Sequence, residues 1–103
     1  MSRLHIVDRG AGHFVVDGDL TFATIDKHTA KSLNFLTTQK EITIDLAQVG
    51  NTDSAGLALM IEWIKFSRAK RTQLRFSNVP TQLLSLARLS GFDTDAHFAA
   101  HLG

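Results

Sequence analysis

Three features of the sequence predict one α/β domain built on a mixed four-stranded sheet with three to four helices. Short runs alternate apolar and polar residues, longer windows repeat apolar residues at helical spacing, and after an opening pair of strands the two patterns alternate. The resulting order is β-β-α-β-α-β-α, with a short last helix as the fourth. The right-handed connection rule makes the strands after the first pair mostly parallel. All 103 residues are assigned to one domain, because no linker, repeat or low-complexity segment interrupts them. A chain of this length buries enough apolar surface to fold without disulfides or a structural metal.

Taken in order, residues 4–8 and 13–17 are β-prone runs joined by Arg9-Gly10-Ala11-Gly12, a connection suited to a hairpin. Gly18-Asp19-Leu20 is expected to turn the chain. Ile25, Thr29, Leu33 and Leu36 recur at helical spacing, which predicts a first helix over residues 25–36 with Thr24 as its cap. Ile42, Ile44 and Leu46 alternate with Thr43 and Asp45 and predict a third strand over 41–46. The longest element is a second helix over 54–70, and a short strand over 73–77 follows, with Leu74 and Phe76 on one face. Pro80 suits the first turn of a third helix carrying Leu83, Leu84, Leu86 and Ala87, which Gly91 is placed to end. Ala96, Phe98, Ala99 and Leu102 predict the final helix within 93–102.

Composition narrows the function classes. The chain has no cysteine, which removes disulfide frameworks and thiolate chemistry and suits a reducing cytosol. Lys+Arg 11 against Asp+Glu 10 gives a formal net charge of +1, so no global field argues for nucleic acid or an anionic membrane. Glu62 and Lys65 interrupt the strongest apolar run well short of the roughly 18 residues of a spanning helix. The first residues, Met-Ser-Arg-Leu-His-Ile, hold no signal-peptide core. A soluble, cytoplasmic chain is expected.

The stretch Asn51-Thr52-Asp53-Ser54-Ala55-Gly56-Leu57 reads as a strand-to-helix loop opening onto the start of the longest helix. The first backbone N–H groups of a helix lack intrahelical acceptors, and Thr52, Asp53 or Ser54 can each supply a capping oxygen, leaving the others free for a partner. Gly56 inside the first turn costs about 1 kcal/mol relative to Ala, so something is expected to approach the backbone closely there, either another element of the fold or another protein. In the helix, Leu57, Met60, Ile61 and Ile64 form one apolar stripe, assigned to the sheet, while Leu59, Trp63 and Phe66 fall on a second. The second stripe is either covered by the first or third helix or left as an interface, in which case Trp63 is its natural anchor.

The run Ile42-Thr43-Ile44-Asp45-Leu46, followed by Thr52-Asp53-Ser54-Ala55-Gly56-Leu57, resembles the strand, D-S-[ST/A]-G-L loop and helix of STAS domains, the anti-sigma-factor-antagonist fold. Val15-Val16-Asp17-Gly18-Asp19-Leu20 is similar to that family's second strand with its Gly-x-Leu turn. Leu74-Arg75-Phe76-Ser77-Asn78-Val79-Pro80, then Leu83-Leu84-Ser85-Leu86-Ala87 and Gly91-Phe92, resembles its fourth strand and third helix. The likeness spans residues 4–92 in the right order. In the antagonists a Ser or Thr that a partner kinase phosphorylates stands immediately before the motif Gly; here that position is Ala55, and the usual phosphoswitch is absent. With Ala55 and a short isolated domain, the closest resemblance is to the MlaB-type STAS subunit, which binds the ATPase of a bacterial ABC system that moves phospholipid between the inner and outer membranes.

The resemblance implies a non-catalytic subunit, without cofactor, that reaches the inner membrane only through its partner. Its partner-binding residues would be Thr52, Asp53, Ser54, Ala55, Gly56, Leu59 and Trp63. Two alternatives stand beside it: an anti-sigma-factor antagonist that binds an anti-sigma factor kinase, with Ser54 as phosphoacceptor, and a nucleotide- or small-ligand-sensing STAS module. Asp53 is weighed as a cap as well as a docking group, and Ser54 as an ordinary first-turn residue as well as an interface hydroxyl. Lys65, Arg68, Lys70 and Arg71 form a basic cluster whose ordinary role is to oppose the helix dipole and keep the surface soluble, with lipid phosphate or nucleic acid as the alternative contact. His97 and His101 share a helical spacing, but no third metal ligand accompanies them. No phosphate-binding Gly loop, paired carboxylates or activated nucleophile argues for an enzyme.

Overall fold

The computed structural model describes residues 4–27, 29, 33–89 and 91. Strands β1 (His5–Gly10) and β2 (His13–Leu20) form an antiparallel hairpin, and β3 (Glu41–Thr52) and β4 (Gln73–Ser77) add to β2 in parallel, giving the sheet order β1-β2-β3-β4. Two α-helices are described, α1 (Ser54–Ala69) and α2 (Thr81–Leu89), together with a 3-10 turn at Asn34–Thr37. The mixed four-stranded sheet and its mostly parallel later strands are those expected from the alternation of periods, and two of the three to four expected helices lie among the described residues.

The differences lie at element ends. Gly18-Asp19-Leu20 is strand rather than turn, because β2 keeps pairing with β3 as far as Leu20 opposite Thr52, with irregular register absorbing the mismatch. The same pairing carries β3 from Leu46 on to Thr52, so only Asp53 separates strand from helix. The turn comes later, where the N–H groups of Thr24 and Ile25 both donate to the Thr21 carbonyl. Of the first predicted helix, residues 28 and 30–32 lie outside the described residues, and its described end is the 3-10 turn. Thr24 is not a helix cap: its hydroxyl donates to the Asp19 and Thr21 carbonyls, and Asp26 instead accepts from the Thr29 N–H. The predicted final helix also lies outside the described residues.

One core forms between a single face of the sheet and the helices. Phe14 and Val16, then Ile42, Ile44 and Leu46, then Leu74 and Phe76 are buried, while alternate residues such as His13, Glu41, Gln73 and Arg75 point to solvent. That alternation is the side-chain period of a strand with one covered face. Helix α1 packs Leu57, Met60 and Ile64 of its first stripe into this core, while Ile61 is half-buried at its edge. In the second stripe Leu59 and Trp63 are buried and Phe66 is half-buried. Trp63 is fully buried, its indole edge-on to Phe35 at 5.7 Å and tilted against Phe76 at 6.4 Å, while Phe35 meets Phe14 at 5.1 Å. The 3-10 turn carrying Phe35 covers the stripe that the α1 spacing alone left open.

Candidate functional site

The site is the end of the molecule where β2 and β3 finish and α1 begins. Two carboxylates lace it together. Asp53 caps α1 from an extended backbone, its Oδ1 accepting from the Ala55 N–H at 2.9 Å and the Gly56 N–H at 3.4 Å. Its Oδ2 accepts from the Phe22 N–H at 3.0 Å, tying the turn after β2 to the helix start. Asp19 Oδ1 accepts from the Asn51 N–H at 2.9 Å, holding the last residues of β3 against β2. Backbone closes the remaining gap, with the Asp53 N–H donating to the Leu20 carbonyl at 3.2 Å. A cap of this kind contributes about 1 kcal/mol to the helix it opens.

Gly56 is where the chains come closest. A β-carbon built on it would stand 2.5 Å from the Leu20 carbonyl oxygen and 3.0 Å from the Leu20 β-carbon. The close approach expected from a glycine in a first turn is therefore made by β2, an element of the fold itself.

This scaffold sorts the candidate residues. Ser54 is exposed and Ala55 half-buried at the helix start, and Asp53 is half-buried with both carboxylate oxygens engaged. Thr52 is buried, and its hydroxyl makes no hydrogen bond among the described residues, so it shapes the loop from beneath. Leu59 and Trp63, expected among the partner-binding residues, belong to the core cluster instead, with Trp63 held edge-on against Phe35. Trp63 presents no surface for a partner, whereas an edge of Leu59 reaches a groove described next.

Phe22, which no sequence pattern singled out, completes the surface. Phe22 is 84% exposed, the largest side chain at this end left in solvent. With Ile25, Ala55, Ala58, Leu59 and Glu62 it lines a mostly apolar groove of about 260 Å³ along the first two turns of α1. Small side chains at Ala55 and Ala58 keep the floor low, and Phe22 forms its wall. An aromatic inside a turn, where polar residues are usual, is the one signal that pointed to Phe22. Among the described residues no group of His, Asp and Glu is arranged to hold a metal ion, and His97 and His101 lie outside them.

Comparisons with known proteins agree with this architecture. The profile of a family described as the MlaB STAS domain matches residues 7–102. Among solved structures, the fold is similar to the anti-sigma factor antagonist SpoIIAA in its unphosphorylated form, at 17% identity over 86% of this chain and 83% of that one, with a TM-score of 0.57. It is also similar to a sulfate transporter family protein from Wolinella succinogenes, at 20% identity over 86% of this chain and 73% of that one, with a TM-score of 0.60. Against curated proteins the sequence has no match.

Proposed function

The chain belongs to the MlaB STAS-domain family, and from that we propose that it is a non-catalytic subunit that docks onto the cytoplasmic ATPase of an ABC transporter for phospholipid trafficking, stabilising or regulating it. The observation that carries the reading is the docking end itself. It is braced by Asp19 and Asp53, it offers an apolar groove walled by exposed Phe22, and it has Ala55 where a phosphorylated antagonist would carry a hydroxyl. A pre-formed surface of this kind loses little entropy on association, which suits a constitutive subunit. The chain then sits in the cytoplasm and meets the inner membrane only through its partner. No helix among the described residues is long and apolar enough to cross a membrane.

The contact uses the outer residues of loop 52–56 and the groove beside it. Ser54 and Ala55 face outward, Asp53 and Gly56 hold their backbone, and Thr52 supports them from within. Anti-sigma-factor antagonism is the competing reading, because the exposed Ser54 hydroxyl stands at a helix start, where an added charge of about −1.5 to −2 would be accommodated.

The test is capture of tagged protein from cytoplasm and detergent-solubilised membranes of its source, in wild-type, Phe22→Ala and Ser54→Glu forms. Wild-type protein is expected to bring down an ABC ATPase with its permease. Phe22→Ala should weaken the complex about thirtyfold, the scale of an interface anchor losing about 2 kcal/mol. Ser54→Glu should do the same by placing an unpaired charge in a desolvated contact, while both variants keep the wild-type melting temperature. Unchanged affinity in both would sink the docking assignment. Recovery of an anti-sigma kinase, with phosphate found on Ser54, would replace the transporter reading by the antagonist one.

A further inference from the structure

A second concave surface lies at the opposite end of α1. The parallel register pairs Glu41 with Gln73, so the residues preceding β3 and β4 meet, and the Gln73 N–H donates to the Lys40 carbonyl at 2.9 Å. Lys40 is thereby brought beside Lys70, Arg71 and Thr72, and with Thr37, Thr38 and Gln39 they line an open basin of about 760 Å³. None of its lining residues is acidic, and no carboxylate among the described residues pairs with Lys40, Lys70 or Arg71. We propose that this basin binds a small phosphate-bearing anion.

Two features separate the basin from an ordinary solvated basic surface. The partial negative charge at the C-terminal end of α1 accounts for a cation in its last turn, which Arg68 already supplies. It does not account for Lys40, which arrives from the β3 side. The second feature is the backbone of Arg71, which has φ +58 at the residue where the helix unwinds, with its N–H donating to the Arg68 carbonyl at 3.1 Å. Helices commonly place Gly at that left-handed position because a side chain is strained there. A guanidinium is kept at the expense of stability, and it opens directly on the basin with the planar donor fork suited to phosphate.

The remaining groups define what is bound. Thr37 and Thr38 hydroxyls donate to the Asn34 and Phe35 carbonyls at 2.8 and 3.0 Å, so they brace the wall rather than the ligand. Thr72 makes no side-chain hydrogen bond among the described residues and supplies a hydroxyl donor. Lys70 is steadied by the Phe66 ring, 5.8 Å from its Nζ. Three cations and one hydroxyl suit the oxygens of a single phosphate group. The formal net charge of +1 gives no extended field for a nucleic acid.

The full chain, labelled with nitrogen-15, is titrated with inorganic phosphate, glycerol 3-phosphate and ATP at constant ionic strength, against chloride. Saturable shifts confined to the amides of Lys40, Lys70, Arg71 and Thr72 are expected, and the tightest of the three probes identifies the source of the phosphate. Arg71→Gly should weaken binding about tenfold, one charge-assisted contact, while raising the melting temperature because the strained residue is gone. Lys40→Gln, at an exposed position, should weaken binding similarly with an unchanged melt. Shifts that never saturate, or that Arg71→Gly leaves unaltered, would overturn the proposal. A parallel titration with anionic phospholipid vesicles that gives the only response, with none to the soluble phosphates, would also overturn it, in favour of a membrane surface.

Discussion

Replacing Gly56 by Ala sets two effects of known size against each other. Helix propensity favours Ala by about 1 kcal/mol at an interior position. The new methyl, however, would lie 2.5 Å from the Leu20 carbonyl oxygen, and that atom belongs to backbone held by β2–β3 pairing and by the Asp53 N–H. Overpacking against such a neighbour costs about 1–3 kcal/mol, so steric repulsion wins. Gly56→Ala is expected to lower the melting temperature, and a scanning calorimetry trace with a raised one would show that β2 yields. This residue was legible beforehand, because glycine in the first turn of a strong helix needs a reason. Phe22 was not. Its place beside the start of α1 is held by a hydrogen bond between its N–H and Asp53, 31 residues away, and that neighbour is not encoded by any local pattern.

Helix α1 shows the same division at the scale of an element. Its length, its Asp53 cap among three candidates and its sheet-facing stripe follow from spacing and composition. What covers its other side does not, because Phe35 reaches Trp63 from a 3-10 turn whose own periodicity reads as the end of an α-helix. β3 likewise outran its apolar alternation because pairing with β2, not side-chain pattern, sets its length. Burial of Leu59 at 4% exposure makes Leu59→Asp a decisive variant. A charge placed in the buried core cluster without a partner costs several kcal/mol, a large share of the 5–15 kcal/mol that typically holds a domain together. Loss of the cooperative melt and of near-ultraviolet circular dichroism is the expected outcome. An intact melt with partner binding lost would instead return the second stripe to the surface.

Across the whole molecule, the parallel arrangement of β2, β3 and β4 puts the strand ends and the start of α1 at one pole and the strand beginnings and the end of α1 at the other. The apolar groove and the basic basin therefore lie at opposite ends of one helix. Sixteen residues at about 1.5 Å each separate them by roughly 24 Å. Mutations more than about 7–10 Å apart with no shared contacts add to within roughly 0.5 kcal/mol. Gly56→Ala and Arg71→Gly act at the two poles with opposite signs, the first crowding Leu20 and the second releasing a left-handed arginine. Chemical denaturation of the double variant should return the sum of the two single effects, and its phosphate affinity should match that of Arg71→Gly alone. A coupling clearly above that limit would mean that α1 carries strain between its ends. A partner docked at one pole would then be able to change the affinity of the basin at the other, and by reciprocity the anion would change the affinity for the partner by the same factor.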